Sequence, residues 1–155
     1  MRARNDFLLD IVENYRTAGN PWPASPKDMA HWALEHRQWA PKPEAVVNQC
    51  AEQLARAMAG QYFTDPQGRR VRAKHAVIYS EGPTQRVLWD DIRTATPRHI
   101  EMAFQQRRRH ILDQCGQLKN DVDYYNENRD PPKPLQMVFD FTLDLKEREL
   151  ALLAA

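Results

Sequence analysis

Cysteine is nearly absent from this chain of 155 residues. Its two cysteines, Cys50 and Cys115, are too few for the disulfide framework of a small secreted domain. Both sit inside apolar helical patterns, where a free thiol behaves as a small hydrophobe, so both are expected to be buried. Glycine is also scarce, at five residues against eleven prolines. No glycine-rich phosphate loop can be drawn from it and no nucleophile elbow is present. No apolar run approaches the ~20 residues of a membrane-spanning helix. The start Met1-Arg2-Ala3-Arg4 is basic, but Asn5 and Asp6 stand where a secretion signal needs apolar residues. A cytoplasmic protein is the expectation.

Metal chemistry lacks its spacing too. His31, His36, His75, His99 and His110 make no finger-like pairing with the cysteines. His99-Ile100-Glu101 begins like a zinc-deaminase signature, but no Pro-Cys-x-x-Cys follows. Asp121-Val122-Asp123 with Asn126 and Asn128 lacks the glycine and closing glutamate of a calcium loop. No enzyme, no cofactor and no metal site are expected.

What is present is the composition of a folded domain, 42% hydrophobic and 28% charged. The net charge of +1 hides an asymmetry. Residues 1–60 carry seven basic and seven acidic side chains, residues 61–112 ten and five, and residues 113–155 five and nine. A basic middle therefore precedes an acidic end.

Periodicity predicts a mostly helical α+β fold. Phe7, Leu8, Ile11, Val12 and Tyr15 share one face of a first helix over 5–18. Ser25 and Pro26 open a second, and Pro43 opens a third that stops at Gly60. Val46, Val47, Cys50, Leu54, Ala57 and Met58 form the third helix's apolar face. Residues 61–64 and 70–79 read as two strands around the turn Asp65-Pro66-Gln67-Gly68. In the second strand Val71 and Ala73 alternate with Arg70, Arg72 and Lys74, which makes one hairpin face cationic. Residues 85–92 form a short strand or turn with Val87, Leu88 and Trp89 expected inside. Thr96-Pro97 starts a long helix to about Asn126. Along it Phe104, Ile111, Leu118 and Tyr125 recur every seven residues, with Arg108, Cys115 and Val122 between them. That pattern allows a homodimer through the 97–126 helix. A proline-rich linker, an extended stretch from Leu135 to Phe141 and a last helix capped by Thr142 complete the chain. The expected division is one domain over 1–128 followed by a linker and apolar, acidic tail over 129–155.

The order helix, helix, helix, hairpin over residues 5–79 resembles a winged-helix domain. The resemblance implies a DNA-binding protein of a bacterial cell or phage. It puts Asn48, Gln49, Gln53 and Arg56 of the third helix near duplex DNA as base-reading groups, and Arg69, Arg70, Arg72 and Lys74 of the wing on phosphates. The basic triplet Arg107-Arg108-Arg109 points three ways on a helix, about 100° apart, and cannot serve one surface. In the tail, Gln136-Met137-Val138-Phe139-Asp140-Phe141 resembles the extended peptide by which bacterial replication and repair proteins dock on the sliding clamp. Gln136, Met137, Phe139 and Phe141 match its glutamine and apolar anchors, with phenylalanine where leucine is usual. The alternative function is accordingly a non-catalytic adaptor whose C-terminal tail docks on a protein partner.

Overall fold

The computed structural model describes residues 2–154 and shows an α+β chain. Five helices and two antiparallel hairpins follow in the order α1 (Arg2–Thr17), α2 (Pro26–Glu35), α3 (Ala45–Ala59), β1 (Tyr62–Thr64), β2 (Arg70–Arg72), β3 (Lys74–Glu81), β4 (Thr84–Asp91), α4 (Pro97–Asn128) and α5 (Thr142–Leu153). The chain divides into two compact units, Met1–Arg56 and Ala57–Ala155. No described helix is long and apolar enough to cross a membrane.

In the first unit, α1 and α2 pack on each other. Ile11, Tyr15 and Ala33 are buried, while Phe7 and Leu8 of the predicted inner face are exposed. The Tyr15 ring meets Trp32 edge-on at 5.7 Å, and its hydroxyl donates to the Pro21 carbonyl at 3.3 Å. Helix α2 begins as the sequence indicates: the Ser25 hydroxyl accepts from the Asp28 amide at 3.1 Å and Pro26 fills the first turn. It ends at Glu35, and Arg37, two residues on, takes a positive φ of 53°. Helix α3 departs from expectation, for it buries no residue. Its apolar stripe meets too little to be covered, so Val47 is 77% exposed and Cys50 is exposed rather than buried.

The second unit is organised by β3. The predicted strand 70–79 is in fact two strands, because the chain changes partner at Ala73. The Ala73 amide donates to Gln61 on the β1 side, and its carbonyl accepts from Ile92 beyond β4, both at 2.9 Å. Ala73 is 1% exposed, so the switch point lies inside the unit. Strands β3 and β4 pair from Lys74↔Asp91 to Glu81↔Thr84 and close through Gly82-Pro83. Gly82 has φ 60°, the sign that a two-residue hairpin turn demands at its first position.

Helix α4 lies on β3, where His75 and Val77 are buried by alternation. Thr96 caps the helix by accepting from the His99 amide. His99 Nε2 then bonds the His75 carbonyl at 2.9 Å, and Phe104 meets the His75 ring edge-on at 5.2 Å. Two turns after His99, the Gln106 amide clamps the unpaired edge of β3. It accepts from Ile78 N at 2.8 Å and donates to Ile78 O at 2.9 Å. A side-chain amide thus replaces a missing neighbouring strand. The helix packs mainly on β3, and the outer strand is largely open. Val87 and Leu88 are exposed and Trp89 is half-buried, contrary to the sequence expectation.

After α4 the chain runs without helix or strand to Phe141, bending near Arg129 and Pro132. Asn126 repeats the amide clamp on Leu135, donating to its carbonyl at 2.8 Å and accepting from its amide at 2.9 Å. Thr142 is the first residue of α5 rather than its cap, because Phe141 holds the cap position. The Asp140 carboxylate accepts from the Thr142 amide at 3.1 Å, and α5 buries no residue.

Candidate nucleic-acid interface

The β1–β2 hairpin is short but its loop is heavily bonded. Asp65 supplies the fastening. Its carboxylate accepts from the amides of Gln67 at 3.0 Å and Arg69 at 2.8 Å, and from Arg69 Nε at 2.7 Å. Its carbonyl closes the turn to Gly68, whose φ of 81° suits glycine. The Arg69 amide, followed by the Arg69 guanidinium, holds the Asp65 carboxyl below its ordinary value.

Register then sorts the side chains. Tyr62 pairs with Arg72, and Thr64 with Arg70. These four share one face by alternation, and Phe63 and Val71 share the other. The Arg70 guanidinium lies 3.9 Å from the centre of the Tyr62 ring, and that of Arg72 lies 5.9 Å away. Neither arginine has a carboxylate partner among the described residues. On the opposite face the Arg93 guanidinium sits 4.8 Å over Phe63.

The other two cations of the predicted cluster are engaged elsewhere. Arg69 is tied to Asp65. Lys74 belongs to β3 and bonds the Asp91 carboxylate at 2.9 Å. Asp91 also accepts from Nε and Nη2 of Arg93, at 2.9 and 2.7 Å. Hydrogen bonds from Arg93 and then Lys74 hold its carboxyl far below the usual range. The ion pair raises the Arg93 pKa further. Of the wing residues proposed from the sequence, the structure therefore brings Arg70 and Arg72 together and takes Arg69 and Lys74 into local ion pairs. Sequence reasoning missed Tyr62, the aromatic base under both arginines. Its position two residues before Thr64, opposite Arg72, is the signal that could have found it.

On α3, Gln49, Gln53 and Arg56 fall within one arc of about 60° at 100° per residue, and all are exposed. Asn48 lies aside from them. It lines an open groove of about 1050 Å³ with Phe7, Leu8, Trp39, Pro41 and Pro43. In the tail, Gln136 is exposed, Met137 and Phe141 are about half-exposed, and Phe139 is partly covered. The segment belongs to no helix or strand. His75 and His99 are buried hydrogen-bonding groups of the β3–α4 contact. No cluster of three metal-capable side chains occurs among the described residues. No protein-family model matches the chain, and comparison with curated proteins and with solved structures finds no match either.

Proposed function

We propose that the chain binds nucleic acid, with duplex DNA as the first ligand, through the Tyr62, Arg70 and Arg72 face of its first hairpin. One observation carries this reading: two guanidinium groups without carboxylate partners stand on one face of a tightly closed hairpin, with an aromatic ring beneath them. Arginines so placed neutralise phosphates and release counterions, which gives sequence-independent affinity. The order of α1, α2, α3 and the hairpin supports a winged-helix-like module, in which Gln49, Gln53 and Arg56 are the candidates for reading bases and Asn48 is the weaker one. Bacterial or phage origin belongs to the same proposal.

The test is fluorescence anisotropy of a labelled random-sequence duplex at two salt concentrations. Each phosphate contact contributes about 0.9 to the slope of log affinity against log salt. Arg70→Ala with Arg72→Ala should lower that slope by about 1.8, so the variant loses about 12-fold less affinity between 50 and 200 mM salt than the parent does. Arg69→Ala and Lys74→Ala should change it less, because their charges already face Asp65 and Asp91. An unchanged slope in the Arg70/Arg72 double variant refutes the assignment.

A second reading rests on the tail. Met137 and Phe141 are half-exposed and Val138 is 77% exposed on a segment outside helix and strand that resembles a sliding-clamp peptide. Under it the chain is an adaptor and these side chains fill pockets on the partner. Deleting residues 130–155 should abolish capture by a purified bacterial sliding clamp and leave the helical circular dichroism of the remainder intact. Capture that survives the deletion removes this reading.

A further inference from the structure

Helix α4 is 32 residues long and buries only His99, Ala103 and Val122. Its heptad stripe is left open: Phe104, Ile111, Leu118 and Tyr125 are 45%, 52%, 43% and 42% exposed. Four large apolar side chains at seven-residue spacing form a continuous ridge that drifts only ~20° per heptad. The β3 contact runs through His99 and Gln106 on a neighbouring side of the helix, and at the start of the ridge Phe104 also touches the His75 ring edge-on while staying 45% exposed. Val122 and Asn126, on one edge of the ridge, are buried and tied to Leu135 respectively. The other edge carries Arg107, Gln114 and Asp121, all exposed.

Charge along α4 is divided in two. Residues 97–112 carry four arginines and one glutamate, and residues 113–128 carry one lysine and four acids. Arg107, Arg108 and Arg109 have no carboxylate partner among the described residues. Asp121 receives only the Gln117 side-chain amide, at 2.9 Å. Lys119 is already neutralised by Asp123. A partner for this surface must therefore offer an apolar ridge of the same spacing, with acid facing the first half and base facing the second. A second copy of α4, turned end for end, meets each condition.

We propose that two copies of the chain pair through α4 in an antiparallel arrangement, with Phe104 opposite Tyr125 of the second copy and Ile111 opposite Leu118 of the second copy. Two-fold symmetry then repeats each contact, which gives four apolar layers. The same register sets Arg107 beside Asp121 of the second copy, twice, on the open edge. Aromatic side chains meet aromatic ones at the ends and aliphatic meet aliphatic in the middle. The helix dipoles also oppose one another. A parallel pair would stack the arginine triplet on itself, and like charges in register repel. This pairing does not depend on nucleic-acid binding, and it is tested in the absence of nucleic acid.

Sedimentation of the full chain over a concentration series should show a monomer–dimer equilibrium. Ile111→Asp should yield monomer with unchanged helical content. Arg107→Asp and Asp121→Arg should each weaken the dimer roughly 3- to 30-fold, as expected for two lost surface ion pairs. The two substitutions in one chain should restore it, because only end-for-end pairing brings the swapped residues back together. Orientation is read in a Cys50→Ala, Cys115→Ala background. A chain with Ile111→Cys mixed with a chain with Leu118→Cys should form the mixed product with a short bis-maleimide. Sedimentation as monomer at every concentration up to the solubility limit overturns the proposal. So does cross-linking of the Ile111→Cys chain to itself in preference to the mixed product.

Discussion

Asn126→Ala should release the start of the tail from α4. The Asn126 amide makes two hydrogen bonds to the backbone of Leu135, at 2.8 and 2.9 Å, and alanine makes neither. A typical intramolecular hydrogen bond contributes a net ~0.5–1.5 kcal/mol. Both of these are open to water, which places the pair at about 1–2 kcal/mol in total. That is roughly a 5- to 30-fold rise in the open population of the segment. The assay is native-state hydrogen exchange at the Leu135 amide, whose only protein acceptor among the described hydrogen bonds is Asn126. Its protection factor should fall by that ratio. The Ile78 amide is the internal reference, since the equivalent clamp by Gln106 holds it on a different part of the unit. Gln106→Ala should invert the pattern, exposing Ile78 and sparing Leu135. If exchange at Leu135 is unchanged in Asn126→Ala, the clamp does not hold the tail. If both amides change together, the variant has destabilised the whole unit instead. The same variant bears on the adaptor reading: should the peptide leave α4 before docking, its apparent affinity for a clamp rises with the open fraction.

Val77→Ala removes two methyl groups at a site with no exposed surface, and should cost about 2–3 kcal/mol of second-unit stability by urea denaturation. Thr96→Ala deletes the cap on the His99 amide and should cost about 1 kcal/mol, seen as earlier fraying of the α4 start in hydrogen exchange. Acid should loosen both hairpins. Asp65 and Asp91 have folded-state pKa values below their ordinary carboxylate value, so their contribution is present above about pH 4 and is lost as pH falls further. Asp91→Asn should flatten that acid limb in a pH series of thermal unfolding.

The parts of the fold that sequence made legible are those fixed within a few residues. Ser25 with Pro26, and Thr96 with Pro97, mark helix starts because the cap hydroxyl needs only the amide three residues ahead. The turn from Asp65 to Gly68 is local in the same sense. The partner switch at Ala73 was not legible, since a run of alternating residues looks the same whether it pairs with one strand or two. The exposure of Val87, Leu88 and Cys50 was hidden for a related reason: an apolar stripe tells which face would be buried, but not whether another element arrives to bury it. The cationic cluster was half legible. Arginine spacing put Arg70 and Arg72 on one face, while the acids that neutralise Arg69 and Lys74 lie four and seventeen residues away. The Lys74–Asp91 pair follows only from the β3–β4 register.

That sorting decides how the basic segment should be read. Residues 61–112 carry ten cations, but a charge count overstates the surface that a polyanion could meet. Lys74 and Arg93 converge on Asp91, and Arg69 is spent on Asp65. Besides the isolated Arg86 and Arg98, two groups of arginine remain without carboxylate partners among the described residues, and their backing differs. Arg70 and Arg72 stand over an aromatic ring on one hairpin face, a planar platform suited to phosphate and base. Arg107, Arg108 and Arg109 ring a helix at intervals of about 100°, beside an apolar heptad ridge whose far half is acidic. A polyanion lying against that helix would meet Asp113 about one turn after Arg109 and Asp121 and Asp123 within four turns of it, and the ridge would stay wet. An inverted copy of the helix meets the base with acid and covers the ridge at once. The two clusters therefore call for different partners, and losing one should leave the other's binding intact.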